Sequence, residues 1–392
     1  MMDAFTNLAT GFAAAGSLQN IGFALIGCML GTLIGVLPGI GPIPTIAMLL
    51  PLTFGLDPLS SLIMLAGIYY GAQYGGSTTS ILVNMPGEAS SVVTCMDGYQ
   101  MARQGRAGAA LAVAALGSFF AGCVGTVFIA AFGPPLSNFA QQFNSPDYFS
   151  LMTLGLLMAV VMAQGSIVNA IGMVLVGLLF GLVGTDANSG VARYTFGVSE
   201  LWDGVDFLPM VIGMFGIVEI IRNLEEKELD RTSIKTRFRD LWPSWSDFKE
   251  AWKPVIRGTA LGSILGILPG GGAVLASFAS YTMEKKIADD PSRFGKGAIE
   301  GVAGPESANN AAAQTSFIPL LTLGLPSNPI MALMMGAMVI QGMQPGSAVM
   351  TSRPELFWGM VASMWIGNLM LVIINLPMVG LWVKLLSVPY RM

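Results

Sequence analysis

The chain of 392 residues contains no histidine, and Asp, Glu, Lys and Arg together make up only 11%, against about 25% in an ordinary soluble domain. Without imidazole, histidine general-base catalysis, histidine-ligated haem and most zinc sites are excluded. The three cysteines, Cys28, Cys95 and Cys123, lack metal-ligand spacing and sit in or beside apolar runs, so they read as small hydrophobes. No Lys or Arg occurs in the first 102 positions. The N-terminus therefore lacks the positive region of a cleavable signal and is expected to stay on the mature protein. A net charge of −4, thinly scattered, gives no argument for a nucleic-acid partner. Nor is there an Asp pair, or a Ser with an evident base, to support an intramembrane enzyme, so the chain is read as a non-enzyme.

What remains is built for lipid. Hydrophobic residues make up 53%, and uncharged stretches run over Ala4–Leu56, Ala107–Pro146, Tyr148–Thr185, Gly258–Met283 and Ser307–Ser352. Each holds at least one span of about 20 residues. The fold class is an all-α polytopic membrane protein. Lys and Arg gather in three clusters: Arg103 with Arg106, the run Arg222–Arg257, and Lys285, Lys286, Arg293 with Lys296. The positive-inside rule puts all three on the cytoplasmic side. Four spans, about 109–132, 147–163, 166–184 and 205–222, fit between the first two clusters, broken at Gly133-Pro134-Pro135, Gln164-Gly165 and the stretch Asp186–Asp206. Between the second and third lies one apolar stretch, Val255–Met283, interrupted by Leu268-Pro269-Gly270-Gly271-Gly272. Only a re-entrant hairpin turning there keeps both clusters on one side. Such a turn is tolerated at membrane depth where protein or a water-filled cavity satisfies its backbone.

The same device occurs earlier. Gly31 to Gly41 matches Gly262 to Gly272 at a constant offset of 231, with Gly, Leu and Pro in register. Basic clusters flank the second copy and none flank the first, as opposite insertion of two related halves requires. An inverted repeat with broken, re-entrant helices points to a transporter, although Gly31-xxx-Gly35 and Gly262-xxx-Gly266 also suit plain helix packing. The domains then read as a first repeat core over 18–106, a four-span scaffold over 107–222, a cytoplasmic connector over 223–254, a second repeat core over 255–346 and a C-terminal span over 355–392. In the connector, Trp242, Trp245 and Trp252 read as anchors of an amphipathic surface helix, or as a docking surface for another subunit.

Each half continues into an uncharged but polar segment: Tyr70–Gly87 in the first, and Gly304–Ser316 followed by Leu323–Pro329 in the second. Small hydroxyls and amides beside Gly and Pro offer close backbone approach, free N–H groups at helix starts and oxygens for a sodium ion. The same side chains also glue membrane helices together. Candidate substrate or ion residues are Pro38, Gly39, Gly41, Gly75, Gly76, Ser77, Thr78, Thr79 and Asn84 in the first half. In the second they are Pro269, Gly270, Gly272, Glu306, Ser307, Asn309, Asn310, Pro326 and Ser327. Glu306 precedes 46 uncharged residues and would be costly facing lipid. It can ligate a cation, carry a proton or sit at the interface, and sodium near Glu306, Asn309 and Asn310 is the metal the residues allow. No other cofactor is expected.

The turn Leu37-Pro38-Gly39-Ile40-Gly41, the block Tyr74-Gly75-Gly76-Ser77 to Asn84-Met85-Pro86-Gly87, Gly304-Pro305-Glu306-Ser307-Ala308-Asn309-Asn310 and Gly324-Leu325-Pro326 resemble the large membrane subunit of tripartite tricarboxylate transporters, the TctA family. The resemblance runs from about residue 18 to the C-terminus. It implies a multi-pass carrier of the bacterial inner membrane; the N-terminus is expected to be periplasmic and the C-terminus cytoplasmic. It further implies a small four-helix membrane subunit and a periplasmic solute-binding protein as partners, and import of citrate or a related carboxylate by sodium or proton symport. Family members carry further C-terminal helices, which are expected to be missing here. A dicarboxylate carrier, or a channel-like or structural membrane subunit, stands as the alternative.

The topology has a direct test. A single cysteine introduced at Lys235 or Lys249 should be silent to a membrane-impermeant thiol reagent added from the periplasmic side and should react once the membrane is opened.

Overall fold

The computed structural model describes residues 2–37, 41–162, 166–186, 189–206, 209–210, 212–218, 221, 241–268, 270 and 272–386. Among them the only strands are a two-residue antiparallel pair, Gly184–Thr185 with Ala192–Arg193, and the rest of the regular structure is helical. The first half comprises α1 (Met2–Ala15), α2 (Leu18–Val36), α3 (Pro42–Thr53), α4 (Pro58–Val83) and α5 (Val92–Met101). Next come α6 (Ala107–Ala140), α7 (Ser145–Met162) and α8 (Ile167–Leu182). The second half comprises α9 (Trp245–Ile267), α10 (Gly272–Ile287), α11 (Glu300–Thr315), α12 (Phe317–Leu323), α13 (Pro329–Ile340), α14 (Ser347–Ser352), α15 (Pro354–Asn375) and α16 (Val379–Leu386). The starts are written in the sequence. Ser17 and Asp57 cap α2 and α4 through Asn20, Leu59 and Ser60 N–H groups, and proline opens α3, α4, α13 and α15 where its missing N–H costs nothing.

Two helix pairs form the centre, each built on glycine. A Cβ placed on Gly27, Gly31 or Gly35 of α2 would lie 2.2, 2.3 or 2.3 Å from the carbonyl oxygens of Met64, Ile68 and Ala72 on α4. On α9, a Cβ at Gly258, Gly262 or Gly266 would lie 2.2, 2.2 or 2.4 Å from the carbonyl oxygens of Gly304, Ala308 and Ala312 on α11. The two sets of glycines are 231 residues apart and their partners 240 apart, so the repeat extends past its hairpin with a nine-residue longer connection in the second copy. It reaches the helix ends too. Asn84 and Gly324, also 240 apart, close α4 and α12 in the left-handed conformation (φ 56°, ψ 32° and φ 71°, ψ 24°), and each is followed by X-Pro. Equivalent helices run antiparallel, because Ser77 meets Glu306 while Tyr70 packs on Phe317 with ring centroids 6.1 Å apart. That is the geometry of an inverted repeat.

In the second half α9 and α10 form a helical hairpin. Arg257 on α9 and Glu284 on α10 lie on either side of the Gly270 turn, and their side chains meet in a two-pronged ion pair, Nε to Oε1 at 2.8 Å. The described residues of the three basic clusters gather on one face. Arg106 pairs with Asp247, Gln104 Nε2 donates to the Lys296 carbonyl at 2.8 Å, and Arg293 pairs with Glu250 and Glu300. At this face burial pushes the Asp247 carboxyl up, but the Ser244 N–H and hydroxyl and the Arg106 guanidinium outweigh it and hold it below its ordinary value.

Some boundaries differ from the expectation. The break expected at Gly133-Pro134-Pro135 is absent: α6 continues to Ala140, with the Phe357 ring of α15 against Gly133 supporting the proline turn. The connector does not end in a separate surface helix at residue 254. A Ser244–Asp247 capping box starts α9, which carries Trp245 and Trp252 and runs unbroken through Pro254 into the hairpin. Residues 222–240 of the connector, and most of the expected span 205–222, lie outside the described residues.

Polarity sorts the helices. α4 is buried from Ser60 to Leu82 and α11 from Gly301 to Thr315, although both are rich in polar side chains. Among the described residues, Leu18–Val36, the run Ala89–Ala140 and Pro354–Asn375 are long and apolar enough to cross a membrane. α8 is apolar and buries none of its residues. A helix apolar all round and uncovered is one made to meet lipid. Overall the chain is an all-α polytopic membrane protein.

Alanine at Gly31 or Gly262 puts a methyl group into a facing backbone, whereas Gly172 on α8 has nothing within 4 Å. Gly31→Ala and Gly262→Ala should each destabilise the detergent-purified protein by about 1–3 kcal/mol or more. Gly172→Ala should leave the melting temperature unchanged or slightly higher.

Candidate functional site

Glu306 on α11 is 1% exposed and sits where the two halves meet. Its Oε2 accepts from Ser77 Oγ of α4 at 2.6 Å, and its Oε1 accepts from Thr94 Oγ1 of α5. No Lys or Arg pairs with it among the described residues. Two hydroxyls donate two hydrogen bonds to the carboxylate but neutralise none of its charge. The Ser77 hydroxyl also lies 2.8 Å from the Gln73 carbonyl. Having one proton, it can turn to that carbonyl and accept from a protonated Glu306, so the cluster accommodates either charge state.

A second carboxylate stands close by. Glu88 accepts from Asn309 Nδ2 at 3.2 Å and from Ser90 Oγ, and it contributes a like charge to the field at Glu306. Glu88 also lacks a Lys or Arg partner among the described residues. An isolated charge in a protein interior under hydrocarbon costs several kcal/mol. Two neighbouring carboxylates without a cationic side chain therefore call for a proton or a metal cation. The oxygens at hand are those of Glu88, Glu306 and Ser90, together with Asn309 Oδ1, which is buried and has no hydrogen-bond partner among the described residues. Among the described residues no three acidic, cysteine or histidine side chains cluster as a metal site, so a sodium ion would rest on neutral oxygens beside the carboxylates.

The predicted site residues separate into distinct places. Ser77, Glu306 and Asn309 come together, and a Cβ on Gly76 would lie 2.9 Å from Glu88 Cγ. Asn310 turns to α6, donating to Ser118 Oγ at 2.7 Å and to the Glu306 carbonyl at 3.1 Å, and Ser307 Oγ donates to the Ala303 carbonyl at 2.8 Å beside Gly117. Thr79 clamps α4 to α2 through the Val36 carbonyl at 2.9 Å, and Gly75 allows that approach, since a Cβ there would lie 2.3 Å from the Thr32 carbonyl. Thr78 donates to the Tyr74 carbonyl at 3.2 Å and lines a small pocket with Tyr74, Ser77, Ser118 and Asn375. Asn84 supplies a left-handed helix end, and Gly41 and Gly272 supply positive φ at the starts of α3 and α10. The Gly270 N–H donates to the Ser327 carbonyl at 2.8 Å, so the tip of the second hairpin rests on the Pro326-Ser327 loop. Pro38, Gly39 and Pro269 lie outside the described residues.

Sequence reasoning missed Glu88, Thr94, Tyr69 and Gln73. For Glu88 the signal was available, because it is the only acidic residue between Asp57 and Asp97. Thr94 carried no signal, because only the packing of α5 against α11 turns it to Glu306.

Inverted repeats with a broken hairpin are a transporter architecture. The model of the tripartite tricarboxylate transporter TctA family matches residues 21–392. This chain is a member of the TctA family. Over all 392 residues, and 78% of the relative's length, it is 62% identical to an uncharacterized 52.8 kDa protein in the TAR-I ttuC' 3' region of Agrobacterium vitis. It is 71% identical over 131 residues, 33% of this chain and 54% of the relative, to an uncharacterized protein in the TAR-II ttuC' 3' region of the same organism. No solved structure matches it. As a member of the TctA family, the chain is a subunit of a multi-pass membrane transporter that works with other subunits.

The hydroxyl donors make a prediction. A hydrogen bond to a charged group contributes about 1.5–3 kcal/mol, so Ser77→Ala and Thr94→Val should each lower thermal stability by that order. Glu306→Gln should stay folded, and in that background the cost of both hydroxyl deletions should shrink. A double-mutant cycle in detergent reads the coupling.

Proposed function

We propose that this TctA-family chain is the large membrane subunit of a binding-protein-dependent carrier that imports a tricarboxylate, such as citrate or a related carboxylate, by sodium or proton symport. The observation that carries the reading is Glu306: a carboxylate buried at the contact of two inverted repeats, held by Ser77 and Thr94 and lacking a cationic partner among the described residues. A group that must gain a positive charge to be comfortable in the membrane can couple ion movement to transport. The substrate anion itself is repelled by Glu306, so it binds elsewhere in the site, on backbone N–H groups, amides and hydroxyls. No Lys or Arg occurs in the polar segments Tyr70–Gly87 or Gly304–Pro329 to do it instead. Ser77, Glu306 and Asn309 serve the ion, and Ser327 with the Gly270 turn helps shape the seat of the anion.

The partners in this reading are a small four-helix membrane subunit and a periplasmic solute-binding protein. The membrane is the bacterial inner membrane, with the face bearing Arg106, Lys285 and Lys296 in the cytoplasm, the N-terminus periplasmic and the C-terminus cytoplasmic. Family membership supports the tripartite organisation, and the single basic face supports the orientation.

Proteoliposomes holding the assembled transporter and its binding protein test the reading. Labelled citrate should accumulate against its gradient when a sodium or proton gradient is imposed, and Glu306→Gln should reduce accumulation at least about tenfold while the protein remains inserted. Accumulation by Glu306→Gln equal to wild type at every sodium concentration and pH would overturn the assigned role of Glu306. Failure of wild type to take up any di- or tricarboxylate would overturn the function.

A further inference from the structure

The repeat makes the centre of the protein pseudo-symmetric, and its side chains break that symmetry in charge. Positions 69 and 309 are equivalent under the 240-residue offset, and so are 88 and 328. Asn309 donates to Glu88 at 3.2 Å, and in the counterpart contact the Tyr69 hydroxyl lies beside Asn328. Thus equivalent positions are neighbours in both halves, with a carboxylate at one and an amide at the other. The other acid follows the pattern, because the counterpart of Glu306 is Ala66. Both negative charges lie at one corner, and neither has a charged counterpart at the other.

The second corner presents donors. Asn328 uses its Oδ1 to cap α13 through the Met331 N–H at 3.0 Å, which turns the amide Nδ2 the other way. That Nδ2 is buried without a hydrogen-bond partner among the described residues. Gln73 is fully buried next to the Tyr69 hydroxyl, and neither its amide oxygen nor its amide nitrogen reaches good hydrogen-bonding geometry among the described residues. These groups lie at the start of a twelve-residue helix, whose N-terminal partial positive charge favours an anion. Buried donors left unpaired beside a helix N-terminus are matched by a carboxylate, and the Glu88 corner is matched by a positive charge.

We propose that the two pseudo-equivalent corners of the site are specialised by charge: Asn328, Tyr69 and Gln73 seat a carboxylate of the substrate, and Glu88 with Asn309 seats the coupling cation. This rests on the reading of the chain as an ion-coupled carboxylate carrier and assigns places within it. The arrangement puts the anion and the cation on opposite sides of the pseudo-twofold axis, where each strengthens the binding of the other. Binding of one ligand thereby raises affinity for the other by the same factor. The titratable groups facing Glu88 are Glu306 from α11 and Tyr69 from α4, so the cation is either sodium or a proton shared with Glu306.

The test uses the purified full chain in detergent, with citrate as the anion probe and its affinity read by thermal shift across sodium concentration and pH. Wild type should bind citrate more tightly with added sodium, or with falling pH at zero sodium, and the two titrations distinguish the ion. Asn328→Asp keeps the helix cap while adding a negative charge, and it should weaken citrate at least about tenfold. Glu88→Gln keeps the shape and should still bind citrate, with most of the sodium or pH dependence of its affinity lost and the remainder carried by Glu306. Monodisperse elution and an unchanged helical circular dichroism spectrum establish that both variants are folded. Citrate affinity of Asn328→Asp within twofold of wild type, or full ion dependence in Glu88→Gln, overturns the division of charge and leaves the carrier function intact. Wild type that binds neither citrate nor succinate overturns the carrier reading itself, and this proposal with it.

Discussion

Everything at the centre of this protein depends on helices meeting backbone to backbone. Gly27, Gly31 and Gly35 let α2 lie on the carbonyls of α4, and Gly258, Gly262 and Gly266 do the same for α9 and α11. In a membrane, apolar side chains gain little by leaving lipid for one another, so association rests on close packing and polar contacts. The glycine seams supply the first. They also bury α4 and α11 with their small polar side chains, and there the polar contacts form.

The acidic centre follows from that burial. Ser77, Thr94 and Glu306 come from three different helices, and only the seating of α4 and α5 against α11 brings their oxygens within hydrogen-bonding distance. The same packing leaves Glu88 and Glu306 without a positive side chain among the described residues. A structural core would avoid such an arrangement, because two unneutralised carboxylates oppose folding. In the ion-coupled carrier proposed here the arriving cation neutralises them, so the arrangement that opposes folding favours binding.

The opposite face is held by ordinary ion pairs. Arg106–Asp247, Arg257–Glu284 and the Arg293 pairs join the first half, the start of α9 and the end of the second hairpin at one level. The exposed Arg293 pairs contribute little each, whereas Asp247 and Glu284 are buried carboxylates that need their arginines. The value of the pairs is positional: they hold both arms of the α9–α10 hairpin, so the Gly270 turn is presented to Ser327 from a fixed base.

The sequence by itself determined the membrane class and pointed to the Gly-Pro interruptions and to Glu306, because these follow from where charges are absent and where Gly and Pro interrupt apolar runs. It also showed half of the repeat, the stretch in which glycine and proline recur at an offset of 231. The other half, at an offset of 240, was invisible because α4 and α11 share backbone geometry but few side chains, and carbonyl groups leave no mark in a sequence. Tertiary structure alone decided which polar residues face one another. Ser307 and Asn310 face α6, Asn309 turns to Glu88, and Thr94 arrives from a separate helix. Direction around a buried polar helix has no hydrophobic periodicity to announce it, so only its neighbours could assign each side chain its partner.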